Sequence, residues 1–511
     1  MPASKLETPP KDDAEVQYAS ELFANFDLNA VAKLWLIFLA LYFPMMTVLP
    51  LNIDAERMAV SQNFSIWIGQ GRWASYLFST YLLPPPVIPY FSLALFGLVS
   101  ACAYYLLLDA CRLPLTGREF IGFSIFSGFP IWSFLLEFPT NSALAGIALL
   151  LCSVSVYLLS IYVSSSQKFK FICCLFQIVT LTFSIGVYQT FVFVYLTMVL
   201  AVALLNPHFS DRSRLFYFLA QASMVMIVSV ILYYAMQKVS LWYFNFETAY
   251  IGSFFRLDLL LSEPLMVAKR TISELFAIYT GASRIFGTAI TCVSFIMLLA
   301  IVRVLLERSP LEILLFAGLL LAPFGMAVVA GGALPHRALI GVPTAVWAAA
   351  MVATRFHSAP LRLSAIIAVA ILGFQSSALL SQYQAERLFV AEFDRSTAAQ
   401  IYSRIAAISD VQVDQAVDFY GQLSGPKVYP VGQSSTASAS FFSWDNGNPW
   451  RMLDYMSLLG YAHLKLISNS ERERMKPIFE TMPSWPSSGS VRKLGSVVLI
   501  KLSNVPGYYE Q

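Results

Sequence analysis

The sequence predicts a polytopic α-helical membrane protein with about eleven transmembrane helices, followed by a C-terminal α+β domain. Three observations predict it. Of the 511 residues, 57% are hydrophobic and only 12% are charged, with a mean hydropathy of +0.65. A soluble protein carries roughly twice that share of charge. The apolar residues gather into repeated runs of roughly 17 to 25, the length a helix needs to cross about 30 Å of hydrocarbon. Beyond Gln382 the runs stop, and the composition becomes that of a small soluble domain.

Residues 1–30 form a polar lead without an apolar signal core, so the first span is expected to act as the insertion signal. A short amphipathic segment around Ala19–Leu28 would lie at the membrane surface. The spans then read Val31–Leu51, Val87–Leu108, Phe120–Leu136, Ala143–Val163, Phe171–Val187, Thr190–Leu205, Leu215–Met236, Ile285–Val302, Leu311–Ala330, Ala338–Val352 and Leu363–Leu380.

Charge placement gives the orientation. With a cytoplasmic N-terminus, alternate loops carry Arg112 and Arg118, Lys168 and Lys170, Arg212 and Arg214, Arg308, then Arg355 and Arg362. Each such loop is basic, as the positive-inside rule requires. The membrane domain is therefore 31–381, with outer loops at 52–86 and 237–284, and 382–511 is an outer soluble domain. In that domain the sequence predicts a helix over Tyr383–Ile408, a strand-like piece at Lys427–Val431 and a helix near Arg451–Leu459. A closing strand pair follows in SVRKLGSVVLIKLS. The six cysteines, Cys102, Cys111, Cys152, Cys173, Cys174 and Cys292, lie in or beside apolar runs. They read as small core hydrophobes.

The stretch richest in chemistry is Asn52–Arg72, NIDAERMAVSQNFSIWIGQGR, directly after the first span. Carboxylates so close to a membrane are costly and point to function. Asp54 or Glu56 is a candidate general base, taking a proton from an acceptor hydroxyl as that hydroxyl attacks a sugar. The plain alternative is a solvated loop with a local ion pair to Arg57. Gly69 and Gly71 permit a sharp turn, and Arg72 after them can present a fork of N–H donors to a phosphate. Arg57 and Arg337 are candidates for the same phosphate. Glu137 and Asn141 form a second outer cluster, with capping of the next helix by Thr140 or Asn141 as its ordinary reading. Tyr188 and Gln189, in SIGVYQT, sit where irregular backbone is tolerated only if it is buried in protein or lines a cavity. His336 and Arg337, in GGALPHRAL, make a compact polar mouth. Arg256, Lys269, Arg270 and Arg284 read equally well as lipid-headgroup contacts. No His, Cys and carboxylate residues stand at metal-ligand spacing, and there is no phosphate-binding Walker loop. Neither a metal nor another cofactor is expected, and nucleic acid is not an expected partner.

Five short patterns occur in order along nearly the whole chain: D-x-E-R at Asp54–Arg57, W-x-x-x-G-R at Trp67–Arg72, G-x-Y-Q at Gly186–Gln189, P-x-R at Pro335–Arg337 and W-P-x-x-G-S-V at Trp485–Val491. In that order they resemble the bacterial Gtr type-II glucosyltransferase family, the serotype-converting enzymes of O-antigen modification. The resemblance implies a C-type glycosyltransferase fold in the bacterial inner membrane, with the C-terminal domain periplasmic. It implies an undecaprenyl-phosphate sugar as donor, usually glucose, and a surface glycan such as lipopolysaccharide O-antigen as acceptor. A donor synthase and a flippase would be functional partners, and the lipid bilayer would hold the donor's tail. Asp54 then matches an acidic position of the first periplasmic loop. Many members show adjacent acidic residues there, whereas Ile53 and Ala55 flank Asp54 here. The base thus stays open between Asp54 and Glu56. Arg57, Arg72 and Arg337 would meet the donor phosphate. Trp67, Glu137, Asn141, Tyr188, Gln189 and His336 would contact sugar or acceptor. Trp444 and Trp450 are candidates to stack on sugar faces. A flippase for a polyprenyl-linked sugar, or an O-antigen polymerase or ligase, are the competing readings.

Overall fold

Each predicted apolar run overlaps a helix of the computed structural model, which describes residues 27–47, 51–61, 63–83, 89–162, 167–247, 255–307, 309–410, 414–461 and 463–510. The expected amphipathic segment, up to residue 26, lies outside the described residues.

Among the described residues, seven helices are long and apolar enough to cross a membrane: Leu28–Thr47, Tyr90–Ala110, Pro139–Tyr162, Lys170–Val187, Arg212–Phe244, Pro310–Val329 and Ala359–Ala406. An eighth crossing is the pair Gly117–Gly128 and Pro130–Leu136, bent by 44°. Pro130 causes the bend, because a residue before proline is driven out of the helical region. Phe129 is extended there, with ψ 135. Three further predicted spans are shorter apolar helices, Phe191–Leu205, Cys292–Leu306 and Val342–Ala353. Val342–Ala353 is buried at every position, so neighbouring helices rather than lipid surround it. The predicted span Ile285–Val302 begins too early. Ser283–Phe286 is a separate turn, Gly287 follows at φ +78, and the long helix starts at Cys292. A Cβ on Gly287 would lie 2.7 Å from the Val431 carbonyl carbon, so the break accommodates the C-terminal segment.

The bundle is held by one large apolar cluster that includes Phe38, Tyr42, Phe96, Trp132 and Trp347. Two of its buried polar side chains pair with each other: Trp347 Nε1 donates to Tyr104 Oη at 3.0 Å, and that hydroxyl donates to the Glu119 carbonyl at 2.7 Å. An unpaired group in this setting would cost several kcal/mol.

A single 48-residue helix, Ala359–Ala406, carries the chain from the bundle into the C-terminal region. At 1.5 Å per residue it is about 70 Å long. Its far end places Ala398, Ile401 and Ile405 in a second apolar cluster. Over that cluster lies a four-stranded sheet of order β2-β1-β4-β3. Strand β1 (Gln415–Tyr420) runs parallel to β2 (Leu464–Leu466) and to β4 (Val497–Lys501), and β3 (Val491–Leu494) pairs antiparallel with β4. The expected closing strand pair is β3 and β4. The expected strand at Lys427–Val431 is irregular instead. The N–H groups of Val428 and Tyr429 donate to Glu386 Oε2 at 3.0 and 2.7 Å, and Pro430 has no N–H to offer a ladder.

Two of the contacts that fix this region to the bundle are deeply buried. Ile53, from the loop after the first helix, is buried in the second cluster with Phe442, Met452 and Tyr455. Glu137, at the end of the bent pair, accepts from Ser435 Oγ at 2.5 Å and from the Thr436 N–H and Oγ1 at 2.5 and 2.9 Å.

Candidate functional site

Between the bundle and the C-terminal region lies a cavity of about 440 Å³. Its floor is the stretch Ile66–Tyr81, folded as two short helices around a turn. Gly71 makes the turn at φ +74, which a residue with a side chain adopts only with strain. Gln189 holds it: Nε2 donates to the carbonyls of Gln70 and Gly71, both at 3.0 Å. Tyr233 Oη donates to the Gly71 carbonyl at 3.0 Å as well. The helix Trp73–Tyr81 then packs on Gly186, where a Cβ would come within 2.7 Å of the Trp73 ring. Gly186 therefore serves close packing, and the chain breaks after Val187.

This scaffold aims Arg72 at the cavity. Its guanidinium lies 4.5 Å from the centroid of the Tyr188 ring and 5.4 Å from that of Trp67. Its Nε is buried with no hydrogen-bond partner among the described residues. Arg337, behind the turn Gly331–Gly332, stacks on Phe138 at 5.1 Å. Neither arginine pairs with a carboxylate among the described residues. Arg57, Arg72, Arg337 and Arg451 all line the cavity, against Asp54 as the one carboxylate among its described lining residues. Such a surplus of guanidinium groups suits an anion with several oxygens.

Asp54 stands at the rim in the left-handed region, φ +75. Its side chain is 58% exposed, and Oδ1 accepts from Arg451 Nη2 at 2.8 Å. The same guanidinium reaches Glu56 Oε1 from Nη1 at 2.5 Å and Asp445 Oδ2 from Nε at 2.6 Å. Glu56 is fully buried behind Arg451, does not line the cavity, and leaves Oε2 without a partner. Burial pushes its carboxyl up to about 7, with Arg451 opposing. Asp454, nearby, is also raised by burial, against the pull of Arg57 and Arg451. Asp54, Glu56 and Asp445 thus converge on the one guanidinium of Arg451. Among the described residues no group of three His, Cys, Asp or Glu side chains is placed to hold a metal ion.

The structure thus brings Asp54, Arg57, Trp67, Arg72, Asn141, Tyr188 and Arg337 to one cavity. Pro139 opens the helix Pro139–Tyr162, which puts Thr140 and Asn141 in its first turn, both on the cavity wall. Glu137 is turned away and buried. Its carboxyl is raised by that burial, against its bonds to Ser435 and Thr436. Gln189 is occupied by the turn it holds, although it lines a small pocket behind Arg72. His336 faces another cavity, with Nε2 3.0 Å from Glu274 Oε2. The residue that sequence reasoning missed is Arg451, 397 positions from Asp54. Nothing in the local sequence PWRML marks it as a partner of the first loop.

A bundle of membrane-length apolar helices, opening on an arginine-lined cavity with a carboxylate at its rim, defines a polytopic membrane protein whose cavity suits an anion. The profile of one family, described as Glucosyl transferase GtrII, matches residues 43–354, more than half of the chain. The chain belongs to that family and is by membership a glycosyltransferase. No curated protein and no solved structure gave a match. The matched stretch ends before Arg451 and the C-terminal sheet.

Proposed function

We propose that this protein transfers a hexose, glucose by family, from a polyprenyl-phosphate donor to a cell-surface glycan such as lipopolysaccharide O-antigen, on the periplasmic side of the bacterial inner membrane. The observation that carries this reading is one cavity shared by Asp54 and by two arginines, Arg72 and Arg337, that lack carboxylate partners among the described residues. The orphan Arg72 Nε beside this cavity is a donor awaiting an acceptor.

In the proposed step the Asp54 carboxylate takes the proton of an acceptor hydroxyl. The hydroxyl oxygen forms a bond to the anomeric carbon as the bond from that carbon to the phosphate oxygen breaks. The configuration inverts, and polyprenyl phosphate leaves with one more negative charge than it had as a diester. Arg72 and Arg337 meet that charge as it develops, where such stabilisation is worth most. Asp54 is preferred to Glu56 because it is on the cavity, whereas Glu56 is sealed behind Arg451. The donor's prenyl tail lies among the apolar helices, and the reaction calls for no resident cofactor.

The test is transfer of labelled glucose from undecaprenyl-phosphate glucose to O-antigen in membranes carrying the protein, beside Asp54→Asn and Glu56→Gln. Loss in Asp54→Asn alone supports the base. Full activity in Asp54→Asn sinks it. Absence of transfer from any polyprenyl sugar by the unmodified protein returns the choice to a flippase.

A further inference from the structure

A second, larger cavity lies on the other side of Arg337. It measures about 910 Å³, roughly twice the first, and is bounded by the helix Pro264–Tyr279, the loop Gly332–Arg337 and the C-terminal segment Gln433–Thr436 with Trp444. Its lining differs in kind from that of a lipid groove. Ser273, Glu274, Gln433 and Ser434 offer hydroxyl, carboxylate and amide groups, and Trp444 offers a half-buried indole. His336 lines it too and is 4% exposed. Its backbone N–H donates to Ser434 Oγ at 2.9 Å, its Nε2 meets Glu274, and its Nδ1 has no partner among the described residues. With Nε2 donating to a carboxylate, the lone pair sits on Nδ1, an acceptor for a hydroxyl.

We propose that this cavity is the acceptor subsite and that its ligand is an oligosaccharide segment of the glycan chain, lying from Trp444 to Arg337. The proposal rests on the transferase reading above. A sugar ring has an apolar face, which the indole covers, and a rim of hydroxyls that both donate and accept, which Glu274, Gln433 and Ser434 match. Glu274 also pairs with Arg284 and His336, and Ser434 Oγ accepts from the His336 N–H, so the protein keeps these polar groups oriented, whereas a prenyl tail would offer none of them a further hydrogen bond. Lys269 and Arg270 also line the space and have no carboxylate partner among the described residues, which adds attraction for acidic sugars. Arg337 lines both cavities, so a chain held here presents its next hydroxyl at the reaction cavity, beside the donor phosphate.

The experiment uses the full-length protein in detergent and polysaccharide released from the host's lipopolysaccharide by mild acid. Binding of the polysaccharide is measured calorimetrically, and transfer kinetics are measured with donor and acceptor varied separately. Trp444→Ala removes the stacking face. Gln433→Trp fills the cavity from an exposed position whose backbone N–H bond to the Ile285 carbonyl is kept. Both are expected to raise the acceptor KM by roughly 5- to 10-fold, the size of one lost aromatic contact, and to weaken polysaccharide binding equally. The donor KM should stay unchanged. Wild-type acceptor KM and binding in Gln433→Trp, with normal thermal unfolding, would overturn the proposal. So would a raised donor KM with an unchanged acceptor KM, which would assign the cavity to the lipid tail. If the unmodified protein binds the polysaccharide, loses it in both variants, and transfers nothing, the cavity is a glycan-binding site, but its role as acceptor subsite is overturned together with the transferase reading.

Discussion

Arg451 Nη2 donates to Asp54 Oδ1 at 2.8 Å, joining the C-terminal region to the first loop across 397 positions of sequence. One guanidinium thereby orients the proposed base, neutralises Glu56 and caps Asp445. Replacing it by Gln strips the only ion-pair partner that Asp54 and Glu56 have among the described residues. Transfer is expected to fall by about 10- to 100-fold in kcat, with the donor KM changed less, because a misoriented base costs rate rather than binding. Arg451→Lys keeps the charge but not the fork, and is expected to recover part of the rate. Equal kcat in Arg451→Gln and the parent, measured in detergent at matched protein levels, would sink this role.

Glu56 gives a prediction in pH. Its folded carboxyl titrates near 7 against an ordinary 4.5, chiefly through burial. A folded value above the unfolded one means the protonated form fits the fold better. The contribution to stability is therefore full below about 4.5 and is lost as pH rises through 7, a swing of about 3 kcal/mol. Glu56→Gln removes the titrating group while keeping an oxygen for Arg451. Its Tm is expected to fall less than that of the parent between pH 5 and 8, by thermal unfolding in detergent. Its transfer rate should stay within about tenfold of the parent, whereas Asp54→Asn should lose at least 100-fold, the usual worth of a general base. Parallel Tm curves for parent and Glu56→Gln would contradict the account.

For the arginines the expected outcome depends on geometry. Arg72 stacks on Tyr188 and Trp67, which leaves its N–H edge free for phosphate oxygens. Arg72→Gln is expected to lower kcat by roughly 100-fold, as for removal of one preorganised donor to a developing charge. Arg72→Lys should restore little, since an ammonium neither stacks in plane nor offers two parallel bonds. Arg337→Gln should behave alike. Steady-state rates with undecaprenyl-phosphate glucose check both, and full recovery in Arg72→Lys would argue against a bidentate phosphate contact.

Much of this was legible in the sequence because the signals are local. Apolar run length gives the helices, and the glycine before Arg72 announces a turn that only φ above zero can make. Asp54, Arg72, Tyr188 and Arg337 were found as chemistry standing where a bland loop was expected, and the structure places them on one cavity. What was not legible is long-range pairing. Glu137, Gln189 and His336 look as functional as Asp54 by type and position. Their partners, Ser435, the Gly71 carbonyl and Glu274, are distant in sequence. Arg451 is the converse, an ordinary helical arginine until the fold brings three carboxylates to it. The Lys427–Val431 stretch has strand composition, but Glu386 takes the N–H groups that a ladder needs.

Glu137 supplies the sharpest separation of structure from chemistry. Its two oxygens receive three hydrogen bonds from Ser435 and Thr436, and nothing of it faces the reaction cavity. Glu137→Ala leaves the buried N–H and hydroxyl of Thr436 without this acceptor, at about 1–3 kcal/mol each where no water replaces the carboxylate, and removes the acceptor of the half-buried Ser435 hydroxyl. Glu137→Gln keeps one acceptor oxygen and should cost less. The expected result is earlier proteolysis in the C-terminal region and a lower Tm, larger for Ala than for Gln. Surviving folded protein should transfer with a near-normal kcat at low temperature. A kcat loss of 100-fold or more in Glu137→Gln with an unchanged Tm would show instead that this carboxylate takes part in the reaction, and the base assignment to Asp54 would have to be reopened.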